Sequence, residues 1–462
     1  MSTPVEKINI LRAGFSSGKT LAVAWRLKQL EQLDHCLRKH EGELLAALHE
    51  DLGKHATEGW VTELGYLHKD IAYTMKHLRR WMRPQRVSQP LLTWPGRSEI
   101  RPEPLGVVLI LGAWNYPVQL LLSPLVAALA AGNTALLKPS ELAPATASLI
   151  AKLLPQYLAQ DAVQVCTGGA DVASELLAER FDHIFYTGGE RVGKIVMRAA
   201  AEYLTPVTLE LGGKSPALVS RNTNLTTAAK RIAWGKWVNA GQTCIAPDYV
   251  LVEDSVYEPL LEALTSAIQD LYGQQPLTHA SYGKIVNQQH FERLTQALDT
   301  SVSEGAKIIC GGERDAESLR LAPTVVSDVA EQSALLQTEI FGPILPVLKV
   351  SDMSQAERYV QGREKPLALY GFTDDADELE RWRAIPAGNQ CFNDTLMFML
   401  NPELPFGGVG TSGMGRYHGK FGFLTFSHQK AIMHRRMRPD PSFRYPPYNG
   451  WKTRLLRWLS GG

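Results

Sequence analysis

Leucines recur near one helical face at Leu30, Leu33, Leu37, Leu44, Leu45 and Leu48, while Lys28, Arg38, Lys39, Glu41 and Glu43 fill the other faces. That period of about 3.6 predicts a helical N-terminal segment. Leu64, Leu67, Ile71 and Met75 predict a second helical stretch ending near Pro84. The Pro- and Arg-rich residues from there to Pro104 predict an extended connector. Between 105 and 211 the pattern changes to short apolar runs alternating with amphipathic stretches. The runs predict strands at 105–111, 134–138, 162–166, 183–186 and 207–211. Helices are predicted between them at 120–131, 144–158, 170–178 and 190–203. Repeated β-α-β-α with short connections predicts an α/β fold built on a doubly wound parallel sheet. The second half is less regular, with helices predicted at 224–237 and 258–271 and strands at 249–252, 307–309 and 346–350. No internal repeat or low-complexity stretch interrupts it.

The chain has 462 residues, long enough for about three domain-sized units. Its 45% apolar and 21% charged composition excludes a disordered tail protein or a disulfide-stapled module. Lys and Arg (48) nearly balance Asp and Glu (47), so no global positive field points to nucleic acid. The cysteines (Cys36, Cys166, Cys244, Cys310 and Cys391) are odd in number and widely spaced. This pattern predicts a reducing compartment and no metal site. Residues 1–10 lack the apolar core of a secretory signal, and the apolar stretch 105–131 is broken by Asn115, Pro117, Gln119 and Pro124. A soluble cytoplasmic protein is expected. Composition shifts only at the end. Residues 430–462 hold eight basic residues against Asp440, a net of +7, leaving −6 for the remainder of a +1 chain. Trp451, Leu455, Leu456, Trp458 and Leu459 lie among those charges. The tail reads either as a segment docked on its own protein or partner subunit, or as an amphipathic peripheral membrane contact.

Several short motifs bear on chemistry. Ala13–Thr20 ends in Gly18-Lys19-Thr20 and resembles a phosphate-binding loop without its first glycine. Residues 5–10 are too polar for the buried strand such a loop needs, so a serine cap before a long helix is the expected reading. The run from Thr187 through Gly188, Gly189 and Glu190 to Gly193 follows a strand and opens a helix, a place suited to a pyrophosphate or to a plain tight turn. Gly241-Gln242-Thr243-Cys244 presents a thiol beside small residues. Glu210 precedes Leu211-Gly212-Gly213-Lys214 at a strand end. Glu339 precedes Ile340-Phe341-Gly342-Pro343, and Trp114-Asn115-Tyr116-Pro117 follows the first buried strand.

Taken together and in order, these motifs resemble the aldehyde dehydrogenases: Asn115 in WNYP, Lys138 to Glu141 as KPSE, Glu210 in LELGGKSP, Cys244 in GQTCIAPDY and Glu339 in EIFGP. Pro405 to Gly410 and Tyr417-His418-Gly419 resemble the class 3 branch that acts on fatty or aromatic aldehydes. The resemblance covers about residues 8 to 433. It implies a Rossmann-like NAD(P)-binding domain (1–82 and 103–210), an α/β catalytic domain (211–392) and a small β oligomerisation arm (83–102 and 393–432), followed by a basic tail (433–462). It also implies a homodimer.

An aldehyde has no acyl leaving group, so a thiol must first add to it, making Cys244 the candidate nucleophile. Asn115 and the Cys244 backbone N–H would stabilise the resulting oxyanion. Glu210 would act as general base toward the thiol or water. The resemblance assigns Glu339 and Phe341 to the nicotinamide end and Lys138 and Glu141 to the adenosine ribose, with Gly188, Gly189, Gly193 and Leu211 near the diphosphate. Glu141 repels a 2′-phosphate and favours NAD, while Lys138 leaves NADP possible. Gly189 and Glu190 depart from the family's usual small polar residues. Tyr66, Tyr116, Trp234, Phe406 and His418 are candidates for the substrate tunnel, with core packing as the alternative. The rivals are a CoA-acylating relative, a nucleotide hydrolase using the Gly18-Lys19-Thr20 loop, and a non-catalytic membrane-associated scaffold.

Overall fold

The five apolar runs between 105 and 211 form one sheet in the computed structural model, which describes residues 3–461. Its strand order is Gly413–Met414, Val207–Glu210, His183–Thr187, Val107–Leu111, Thr134–Lys138 and Val163–Val165. All pair in parallel except Gly413–Met414, which runs antiparallel to Val207–Glu210. Val107–Leu111, Thr134–Lys138 and His183–Thr187 are buried at every position. Helices cover both faces of such a sheet, so its strands read as continuous apolar runs. Strand order reverses between Val107–Leu111 and His183–Thr187, so the loops that follow them flank a switch point at the sheet's carboxyl edge. Open α/β sheets bind ligands there.

A second sheet of seven strands is ordered Lys307–Cys310, Thr324–Ser327, Ile344–Val350, Tyr249–Glu253, Pro216–Val219, Ala368–Phe372 and Asn389–Phe392. It too is parallel, apart from its antiparallel edge strand Lys307–Cys310. The sequence pattern marks only three of these strands. The architecture is therefore α/β, with two parallel sheets.

The predicted N-terminal helical segment is divided. Val23–Lys39 buries Leu30, Leu33 and Leu37, and Glu41–Leu52 buries Leu44, Leu48 and Leu52. The break falls at His40, whose ring lies 2.6 Å from Glu43 and 2.9 Å from the Tyr157 hydroxyl. Residues 5–10 are helical, within Pro4–Ser16, and a Thr3–Glu6 capping box starts that helix. The Gly18-Lys19-Thr20 loop thus follows a helix, Lys19 pairs with Asp161 and Thr20 is buried. A nucleotide-hydrolase loop needs a strand there. The expected serine cap differs as well. Ser17 Oγ donates to the Gly14 carbonyl (2.7 Å) and closes the preceding helix, whereas Val23–Lys39 starts at Ala22 without a side-chain cap.

The expected connector contains two strands, Gln85–Val87 and Gly96–Pro104, in a three-stranded antiparallel sheet with Ser427–Arg435. Nine residue pairs, from Ser427 opposite Pro104 to Arg435 opposite Gly96, join the long strands and run past the expected bounds at 102 and 432. The outer edge of Ser427–Arg435 has no partner strand among the described residues. Beyond it lies the helix Gly450–Leu459, with no buried residue and with Trp451 and Trp458 exposed. No described helix is long and apolar enough to cross a membrane.

Candidate active site

The nucleophile's loop begins where the helix Leu225–Trp237, capped by Asn224 at its other end, runs out. Asn239, Ala240 and Gly241 then adopt φ of 53°, 52° and 76°. Left-handed backbone at a non-glycine residue costs about 1–3 kcal/mol, so Asn239 and Ala240 in succession require compensation. Asn239 N–H donates to Glu58 (3.0 Å), and Asn239 Nδ2 donates to the carbonyls of Asn115 (2.8 Å) and Gln242 (3.1 Å). Gln242 Nε2 donates to the Asn239 and Lys284 carbonyls, both at 3.0 Å, and Gln242 Oε1 accepts from Val286 N–H (2.9 Å). A Cβ at Gly241 would collide with the Gly342 carbonyl, so only glycine fits against the Glu339–Pro343 loop.

Asn115 is built into this loop. Its Nδ2 donates to the Gln242 carbonyl (3.0 Å), which fixes the amide while using one of its two N–H groups. Its carbonyl accepts from Lys54 Nζ (2.9 Å), and the same ammonium pairs with Glu63 Oε1 (2.6 Å) and lies 4.0 Å from the Tyr116 ring centre. The Lys54 and Glu63 side chains are both fully buried. Glu63 Oε2 accepts from Val118 (2.8 Å) and Gln119 (3.2 Å), supplying partners for free N–H groups where the helix Gln119–Ala131 begins. Glu63 sits on a single π-helical turn, Trp60–Leu64, an interruption that often accompanies functional sites.

Cys244 is half-buried. Burial pushes its thiol up, the charges of Glu339 and Glu210 add to the shift, and the backbone N–H groups of Cys244 and Ile245 oppose it. Glu210 ends the strand Val207–Glu210 with 3% of its surface exposed, and neither carboxylate oxygen has a hydrogen-bond partner. Burial alone pushes it well above the usual carboxylate range. Burial, followed by the charge of Asp248, raises Glu339 to about 8, against the pull of the Gly213 N–H, Lys214 and Lys236. The charges of Glu210 and Glu339 thus both act on Cys244, beside the loop that Asn115 helps to hold. Tyr370 donates to the Ile245 carbonyl (2.6 Å), and the buried Tyr417 hydroxyl, unpartnered, feels the charges of Glu210 and Cys244.

The cofactor candidates occupy the neighbouring sheet edge. Lys138 ends the strand Thr134–Lys138 and donates to Glu141 (2.8 Å). At the switch point, a Cβ on Gly188 would collide with the Tyr186 hydroxyl, whereas Gly189 faces open space where the helix Glu190–Ala201 starts. Thr187 Oγ1 is buried without a partner. An open helix N-terminus, an unpaired hydroxyl and a lysine–carboxylate pair fit a dinucleotide. Glu190 pairs along the helix with Lys194 (2.5 Å). Gly193 packs against Leu211, so both serve close helix–strand contact. Phe341, at φ 48°, meets Trp114 edge-on at 5.3 Å.

Three of the five tunnel candidates cluster. The His418 ring lies 5.7 Å from Tyr66 and stacks on Phe406 at 5.2 Å, with Tyr417 at 4.4 Å. Burial pushes His418 down to about 3, so the ring is neutral at physiological pH. Tyr116 bonds instead to Thr243 Oγ1 (2.6 Å) and braces the nucleophile loop. Trp234 is 37% exposed, with no ring partner among the described residues. Sequence reasoning did not single out Lys54, Glu63, Asn239 or Tyr370, and it named Tyr417 only within a motif, without a role. Gln242 and Asp248 lay inside quoted motifs, yet their bonds run to residues far along the chain.

The sequence profile of the Aldehyde dehydrogenase family matches residues 6–432. The chain is 46% identical to the rat (Rattus norvegicus) aldehyde dehydrogenase family 3 member B1, over 98% of this chain and 96% of the relative. It is 45% identical to the Arabidopsis thaliana aldehyde dehydrogenase family 3 member H1, over 97% and 93%. A solved structure of Staphylococcus aureus AldH in its substrate-bound state superposes with a TM-score of 0.96 at 41% identity and full coverage of both chains.

Proposed function

The chain belongs to the aldehyde dehydrogenase family and is an NAD(P)-dependent enzyme, and on that premise we propose how its own residues oxidise an aldehyde. Cys244 gives its thiol proton to Glu210 as Sγ adds to the carbonyl carbon, and the second N–H of Asn115 with the Cys244 backbone N–H receives the oxyanion. A bound dinucleotide would supply the two-electron acceptor for the aldehyde hydrogen, and Cys244 would keep the acyl group as a thioester on Sγ. Glu210 takes a proton from water, which hydrolyses the thioester to a carboxylic acid. The carrying observation is the Glu210 carboxylate, buried and without a hydrogen-bond partner beside Cys244. Such a group costs stability, and activating water gives it a use. It also favours release of free acid over transfer to CoA.

Glu339 and Phe341 hold the nicotinamide end, Lys138 and Glu141 the adenosine ribose, and the Gly188–Gly189 turn the diphosphate. NAD is the preferred cofactor through Glu141, and NADP is tolerated through Lys138. Tyr66, Phe406 and His418 line an uncharged aromatic path suited to medium- or long-chain aliphatic or aromatic aldehydes. In this reading Tyr116 supports the loop and Trp234 stands at the path's outer end. Cys244→Ala is expected to abolish acid formation across a chain-length series of aldehydes while NAD still binds. Turnover near that of the unaltered enzyme would remove Cys244 from the mechanism.

The sheets support a division into cofactor domain, catalytic domain and arm, and the unpaired edge of Ser427–Arg435 supports a homodimer assembled through the arm. The exposed basic helix Gly450–Leu459, with Trp451 and Trp458, supports peripheral contact with an anionic membrane by a cytoplasmic enzyme. Removing residues 436–462 is expected to abolish sedimentation with phosphatidylserine vesicles and to leave turnover in solution unchanged. Undiminished sedimentation would refute the membrane contact.

A further inference from the structure

Glu339 and Phe341 lie on an irregular loop, yet side chains from three other segments pin its backbone. Lys214 Nζ donates to the carbonyls of Leu335 and Thr338, both at 2.9 Å, and pairs with the Asp248 carboxylate. Asp248 Oδ1 accepts from Ile340 N–H (3.0 Å), and Arg293, on the helix Gln288–Ser303, donates to the Ile340 carbonyl (2.7 Å). Both backbone polar groups of the residue between Glu339 and Phe341 are thus held by side chains. Phe341 itself is in the left-handed region at φ 48°. A bulky residue stays in that conformation only where its surroundings over-determine it.

We propose that Asp248, together with Lys214 and Arg293, is a positioning device for the cofactor: by fixing Ile340 it holds Phe341 left-handed and presents the Glu339 carboxylate to the dinucleotide ribose. This rests on the reading of Glu339 as a ribose ligand. The device acts on one half of the site. None of its bonds reaches Asn115 or Glu210, so it governs cofactor affinity while the nucleophile loop keeps its own supports.

Two assays on the full-length enzyme separate these effects. Aldehyde oxidation needs the dinucleotide, whereas cleavage of 4-nitrophenyl acetate needs the thiol, the oxyanion donors and the base that hydrolyses the acyl-enzyme, but no dinucleotide. Asp248→Asn and Arg293→Met are expected to raise KM for NAD about 10- to 100-fold, the range for losing a charge-assisted hydrogen bond. Ester cleavage should stay within about twofold, and Arg293→Lys should restore part of the affinity. Glu339→Gln is the reference and is expected to raise the same KM. If Glu339→Gln raises KM while neither clamp variant does, the device is refuted and the Glu339 assignment stands. If Glu339→Gln leaves KM unchanged, the assignment falls and the device falls with it. A parallel loss of ester cleavage would make these residues general scaffold and refute the proposal. Should Asp248→Asn fail to fold, Arg293→Met decides alone, since that side chain lies towards solvent.

Discussion

The two sides of the candidate site are built on opposite plans. On the nucleophile side, Lys54, Glu63, Asn115, Asn239 and Gln242 form one buried web around three left-handed residues. On the cofactor side, Gly189 faces open space, Thr187 Oγ1 lacks a partner and the Glu141 end of the Lys138–Glu141 pair is exposed to solvent. The difference follows what each side does. A thiol and an amide must meet the carbon and the oxygen of one carbonyl within a few tenths of an ångström, which demands a pre-organised scaffold. A dinucleotide must arrive and leave every turnover, and in the proposed reading the unpaired groups on this side would receive its oxygens.

The largest expected effect comes from breaking the web. Lys54→Met would strand the Glu63 charge in a sealed site, and loss of one partner of a buried pair costs about 3–5 kcal/mol. A fall in thermal midpoint together with lost ester cleavage would confirm it, and unchanged melting would show the pair to be dispensable. Next is Glu210→Gln, which tests whether Glu210 belongs to the web at all. Turnover should fall about 10²- to 10⁴-fold with no loss of stability. The sign follows from proton linkage. Because Glu210 is raised above its unfolded value, the native state binds the extra proton as pH climbs past the ordinary carboxylate range, and stability declines through that window. The variant should lose that decline in pH-dependent melting, and its turnover should lose the rising alkaline limb. The smallest effect sharpens the contrast between the two sides. Gly241→Ala meets both a collision and φ 76° and should cost about 1–3 kcal/mol, whereas Gly189→Ala, at φ −75° with nothing near, should stay within about 0.5 kcal/mol by denaturant titration.

The same contrast explains what the amino-acid sequence discloses. The buried parallel strands from Val107 to Glu210 announce themselves because each is a local apolar run bounded by turns. Pro216–Val219 and Ala368–Phe372 are equally buried and of similar length, but a proline opens the first and Gly371 interrupts the second, so neither reads as an unbroken apolar run. Cys244, Glu210, Asn115 and Glu339 are legible as ordered motifs. Lys54 and Glu63 are not, since their meaning comes from contacts made 55 to 61 residues away and from a π turn that no period announces. The break at His40 is likewise invisible in leucine spacing that continues across it.

The raised thiol of Cys244 has a consequence for survival between turnovers. Peroxides and stray electrophiles attack the thiolate, and the protonated sulfur is a poor target for them. With its thiol raised by burial, the proposed nucleophile would keep its proton, and be a poorer target for oxidation, until a base takes that proton.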